Sequence, residues 1–149
     1  MAVLDQLTKY LAMQAIPLWT ARPVIDGFFN LVHVRNRGAA FGFLNNSDTD
    51  WQFWFFAGVT LLAVGVLLWM ARTAPPPHKF KARLFFISLG LILGGAVGNF
   101  IDRCRFRHVI DFLDFYIGNW HWPAFNVADI GITVGVLLLI FLTLCGRKS

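Results

Sequence analysis

Every acidic side chain in this sequence is an aspartate: there are eight, with no glutamate, among 149 residues. Most stand near an amide or a basic group. Asp5 precedes Lys9 by four positions, Asn36 lies beside Arg37 and Gly38, and Asn99 is followed by Asp102 and Arg103. Further on come Asp111 and Asp114, and then Asn126 with Asp129. Two neighbouring aspartates cannot both ionise easily, because repulsion and partial desolvation push their pKa values apart. One then stays ionised and takes a proton from water. The other stays protonated, polarises a carbonyl and delivers a proton to a leaving amine. No Ser–His, Cys–His or metal-ligand spacing competes with this chemistry. His33, His108 and His121 stand singly in segments read as loops, and Cys104 and Cys145 are far apart. No cofactor and no metal is expected.

The elements that must position these groups are membrane-spanning. The chain is 57% hydrophobic and only 14% charged, with mean hydropathy +0.60, whereas soluble domains carry about 25% charged residues. Uncharged runs of 21, 18 and 17 residues follow Asp50, Arg83 and Asp129. About 20 apolar residues cross a hydrocarbon core, so spans are expected at about 51–71, 84–102 and 125–145. The net charge of +5 is distributed as lipid-facing groups are, and no nucleic-acid partner is expected. Arg72, Lys79, Lys81 and Arg83, with the closing Arg147 and Lys148, place the second–third link and the C-terminus in the cytoplasm by the positive-inside rule. The segments near 20–50 and 103–123 then face outward. The first, "PVIDGFFNLVHVRNRGAAFGFL", alternates apolar and polar residues and reads as short strands and turns.

A first helix over 1–16 must deliver residue 20 across the membrane. It carries Asp5 and Lys9 on one face and is short for a full crossing, so the native chain is expected to begin upstream of Met1. All the polar groups named above fall at the outer ends of the spans, and none on the inner halves of the second to fourth. Ionisable groups within spans are costly and by default suggest function. Asp129, three residues after Asn126, could also serve as a helix cap; caps alone would be distributed over both membrane faces. Gly90, Gly94 and Gly98, and Gly131 and Gly135, recur every four residues and suit close helix packing.

Five ordered blocks, "LDQLTK", "NRGAAFG", "GGAVGNFIDR", "HVIDFLDF" and "FNVAD", closely resemble those of bacterial lipoprotein signal peptidase, or signal peptidase II. The resemblance covers nearly the whole chain. It implies a predominantly α-helical membrane protein, a bundle of four transmembrane helices with a small β-rich platform on its outer face, in one domain spanning 1–149. It further implies an aspartyl endopeptidase of the bacterial inner membrane that removes prolipoprotein signal peptides before a cysteine bearing diacylglycerol. The catalytic pair falls on Asp111 and Asp129. Asp5, Lys9, Asn36, Gly38, Asn99, Asp102, Arg103, Asn126 and Ala128 match positions that hold the pair or the substrate backbone. The platform matches the segment from Pro23 to Leu44. The family's first helix has about four further turns before "LDQ", so helix 1 is expected to be truncated here. Membrane lipids and the prolipoprotein are the expected partners, with the enzyme working as a monomer.

Two other readings use the same residues. A small transporter or proton-relay subunit requires a polar path across the bilayer, which the inner halves of the spans lack. A structural membrane partner requires the polar groups only to join helices, so changing Asp129 would abolish folding and not chemistry alone.

Overall fold

A computed structural model describes residues 1–38, 51–73 and 79–146. The elements run α1 (Ala2–Ala15), β1 (Ala21–Ile25), β2 (Phe29–Asn36), α2 (Trp51–Thr73), α3 (Lys79–Phe106), β3 (Val109–Ile117), β4 (Trp120–His121) and α4 (Val127–Gly146). Residues 39–44 of the expected platform, Pro75 to Pro77 and the basic closing residues lie outside the described residues. The fold is mostly helical. Three helices, α2, α3 and α4, are long and apolar enough to cross a membrane. Their outward surfaces are correspondingly apolar: Trp54, Leu62, Trp69, Leu137 and Phe141 all face away from the protein.

Helix α1 inverts the usual soluble pattern. Its buried residues are Asp5, Lys9 and Ala12, a stripe at i, i+4 and i+7, while Val3, Leu4, Leu7 and Leu11 are exposed. An apolar exterior around a polar seam suits a lipid environment, where charged groups turn toward the bundle interior.

The strands form an antiparallel sheet in the order β1-β2-β3-β4. It extends beyond the strand-rich platform expected over Pro23–Leu44. Strand β3 comes from the segment that follows α3, and it pairs along β2 from Phe29↔Phe115 to Asn36↔Val109. Gly27 (φ 78°) and Gly118 (φ 59°) supply the left-handed backbone required by the two hairpin turns. Two histidines lie on strands. His33 lies buried on β2 with Nδ1 3.0 Å from the Ile16 carbonyl, and His121 is on β4.

Helix α3 continues past its uncharged stretch through Asp102, Arg103 and Arg105, because those side chains find partners at that end of the helix. It stops at Arg107, a non-glycine residue at φ 63°. The Arg107 amide bonds back to the Arg103 carbonyl at 3.0 Å, and its guanidinium lies 4.1 Å from the centre of the Phe53 ring.

Glycines set the helix spacing, though not as one series. A Cβ on Gly95 would overlap the Ala128 carbonyl, and one on Gly135 would crowd Ser88 and Ile92. These two bring α3 and α4 together. Gly98 instead faces Asp5 on α1, whereas Gly90 has open space around it.

Candidate active site

Asp111 and Asp129 line one cavity of about 510 Å³, together with Asn36, Asn99, Arg103 and Trp122. The strand β3 carries Asp111, buried at 3% exposure. The first turn of α4 carries Asp129. Asn126 joins them: its Nδ2 donates to Asp111 Oδ1 at 2.7 Å, and its backbone N–H donates to Asp129 Oδ2 at 3.1 Å. The Asn126 side-chain oxygen accepts from the Asp129 N–H at 3.1 Å. That reciprocal pair has the form of a capping box. Asp129 is therefore a helix cap and a wall of the cavity at once, although the sequence had set those roles against each other.

The remaining carboxylate oxygens are also occupied. Asn36 Nδ2 donates to Asp111 Oδ2 at 3.0 Å, and Asn99 Nδ2 donates to Asp129 Oδ1 at 2.8 Å. Each of the four oxygens thus receives one donor. Burial first, and then the negative charge of Asp129, push the Asp111 carboxyl up to about 6, against the opposing pull of Asn36 and Asn126. A carboxyl tuned toward neutrality beside a second acid is the condition for dividing acid and base roles.

Behind the pair lies a buried ionic cluster. Lys9 Nζ is 2.9 Å from Asp5 Oδ2, 2.8 Å from Asp102 Oδ2 and donates to Asn99 Oδ1 at 2.8 Å. Asp5 Oδ1 accepts the Ala128 N–H at 2.9 Å, and Asp102 Oδ2 accepts the Ile110 N–H at 3.2 Å. Asp102 is thereby engaged with Lys9 on α1. Arg103 reaches the Gly38 carbonyl at 3.4 Å and lies over the Phe56 ring, 4.4 Å from its centre. Its Nε is buried without a partner among the described residues. Gly38 donates its N–H to Asn36 Oδ1 at 3.0 Å.

The structure therefore brings Asp111, Asp129, Asn36, Gly38, Asn99, Arg103 and Asn126 to the cavity and its rim, with Asp5, Lys9, Asp102 and Ala128 directly behind. Gln6 was not singled out, yet its Nε2 donates to Asp102 Oδ1 at 2.8 Å and to the Gly98 carbonyl at 3.1 Å. The available signal was its place inside "LDQ", next to Asp5. Among the described residues no group of three or more His, Cys, Asp and Glu is arranged as metal ligands.

The chain is similar to known proteins over most of its length. Residues 1–145 match the family described as Signal peptidase (SPase) II. A protein named lipoprotein signal peptidase from Nitratidesulfovibrio vulgaris is 53% identical over 136 residues, covering 91% of this chain and 79% of the relative. Another of that name from Oleidesulfovibrio alaskensis is 56% identical, covering 91% of this chain and 83% of its own. A bacterial membrane enzyme solved by the in meso method at 2.3 Å resolution superposes with a TM-score of 0.83 at 31% identity, over 99% of this chain and 84% of the other. The chain belongs to the signal peptidase II family and is a membrane peptidase.

Proposed function

We propose that this peptidase removes the signal peptides of lipoproteins, with Asp111 and Asp129 as its catalytic pair. The ionised member of the pair takes a proton from a water molecule, which attacks the scissile carbonyl carbon. The protonated member polarises the carbonyl oxygen, and the proton then passes to the leaving amine as the C–N bond breaks. The observation that supports this most strongly is the meeting of two acids, from β3 and α4, on one cavity, with one donor on each oxygen. Asn36, Asn99 and Asn126 hold the pair. Arg103 takes the substrate backbone, and Gly38 holds Asn36 and Arg103 in position.

The substrate bond lies before a cysteine carrying diacylglycerol, and the sheet receives that lipidated end. The chain forms one membrane domain in the bacterial inner membrane, with α1 as a fourth membrane helix. The site lies near the outer face, the C-terminus in the cytoplasm, and the enzyme acts as a monomer among membrane lipids. The test is cleavage of diacylglyceryl-modified and unmodified prolipoprotein by wild type, Asp111→Asn and Asp129→Asn. Cleavage of the modified substrate by wild type alone is expected. Wild-type cleavage by either variant would remove the catalytic assignment, and equal cleavage of both substrates would remove the lipid requirement.

A further inference from the structure

We propose that the Lys9-centred ionic cluster is a positioning device that fixes the spacing of the two acids and the orientation of the Asn99 amide that faces Asp129. This rests on the catalytic reading of Asp111 and Asp129. Lys9 is itself 1% exposed and does not line the cavity, so it acts through others.

Two observations carry the inference. The first is where the cluster grips the backbone. Asp5 takes the N–H of Ala128, the residue before Asp129. Asp102 takes the N–H of Ile110, the residue before Asp111. Lys9 ties Asp5 to Asp102, and so links the residue preceding one acid to the residue preceding the other. Without the ammonium, two buried carboxylates would repel, and the two gripped segments would separate with them. Breaking such a cluster by removing one partner leaves an uncompensated buried charge.

The second observation concerns amide direction. An asparagine side chain has nearly the same shape in either orientation, so its hydrogen-bond partners decide which end faces where. Three asparagines contact the acids, and each is pinned by its oxygen. Asn36 is held by the Gly38 N–H and Asn126 by the Asp129 N–H. Asn99 receives Lys9 Nζ at 2.8 Å and Asn126 Nδ2 at 3.2 Å. An ammonium only donates, so it holds the Asn99 oxygen toward α1 and turns the NH2 toward Asp129. The reverse orientation would set oxygen against carboxylate and NH2 against ammonium. The three ammonium protons meet three acceptors, Asp5 Oδ2, Asp102 Oδ2 and Asn99 Oδ1, so nothing is left over for substrate.

The test is a double-mutant cycle on peptide cleavage by the purified, membrane-reconstituted enzyme. Its arms are Lys9→Gln/Asp102→Asn, which removes one charge of each sign and keeps amide donors, and Asn99→Ala. Each arm is expected to lower kcat by at least about 10-fold with KM within about 2-fold, since displacements near 1 Å cost up to about 100-fold. Combined, they should fall little below the worse arm, because both act through one path. Losses that multiply, a change in KM alone, or a lowered thermal midpoint with unchanged kcat would overturn the proposal. Asn99→Asp supplies an arm independent of the Lys9 variants. It keeps the shape and the bond to Lys9 but sets an oxygen against Asp129, and wild-type kcat in that variant would also overturn the proposal. Wild-type cleavage by Asp111→Asn or Asp129→Asn defeats the catalytic reading itself, whereas a multiplicative cycle with both of those variants inactive defeats only the positioning role.

Discussion

Asp111 and Asp114 stand three residues apart on one strand, both buried, and each accepts a hydrogen bond from an asparagine of β2. Odd spacing on a pleated strand sends them to opposite faces. On one face Asp111 meets a second acid and an open cavity. On the other, Asp114 accepts from Asn30 at 2.9 Å and contacts His121 Nδ1 at 2.9 Å, under a Tyr116–His121 stack with centroids 4.9 Å apart. Burial and an amide partner are common to both, so neither makes a carboxylate reactive. The like-charged neighbour and the cavity separate them. A buried acid opposite a histidine is a fastening; here it ties β3 to the hairpin that leads into Trp122 at the cavity wall.

The largest test of that contrast is on rate. Asp111→Asn and Asp129→Asn should each lower peptide cleavage by about 1,000-fold or more, whereas Asp114→Asn should stay within about 3-fold. A comparable loss in Asp114→Asn, measured on protein of equal folded fraction, would erase the distinction.

The next effect is on stability against pH. Asp111 titrates at about 6 in the fold against an ordinary 3.8, so the folded state holds its proton more tightly than the unfolded chain. That favourable contribution is complete below about pH 4 and is lost as pH rises through 6. At about 1.4 kcal/mol per pKa unit, wild type should lose roughly 3 kcal/mol relative to Asp111→Asn between these limits. Thermal midpoints of both proteins in detergent at about pH 4 and pH 8 check this. A gap that does not widen toward pH 8 would mean that the burial of Asp111 carries no electrostatic strain.

Smaller effects belong to the other face. Asp114→Asn should lower stability by about 1 kcal/mol, the scale of a lost hydrogen bond. His121→Phe preserves the stack on Tyr116 and removes only the contact with Asp114. Because the His121 side chain is half exposed, its loss should fall below about 1 kcal/mol. A larger loss from His121→Phe than from Asp114→Asn would reverse the assignment of which residue fastens the hairpin.

What the sequence made legible follows from the range of the signals. The three apolar helices were readable because each run excludes charge for the length of a bilayer. The Asp5–Lys9 pair was readable because four residues on a helix are one turn. Lys9 with Asp102 was not, since that contact joins α1 to α3 across 93 positions with no local pattern. Strand β3 was missed for a different reason. Val109, Ile110, Asp111, Phe112 and Asp114 are all buried, so apolar residues occupy both faces and the alternation that marks a half-exposed strand disappears. Two acids three apart then look like neighbours on a turn when they in fact point away from each other. Asn126 and Asp129 were read correctly as a possible cap, but the cap and the site proved to be the same atoms.

Because the cap and the site share atoms, the winding of α4 and the completion of the site coincide. Asp129 reaches its place only when the first turn of α4 winds, since the bonds that orient its carboxylate also begin the helix. Asn99 meets it only once α3 has docked alongside. A newly inserted chain with that turn unwound presents Asp111 without its partner acid and, on the proposed mechanism, does not cleave. On the proposed mechanism, maturation and activation are therefore one event, and partly assembled molecules pose no proteolytic hazard to the membrane around them.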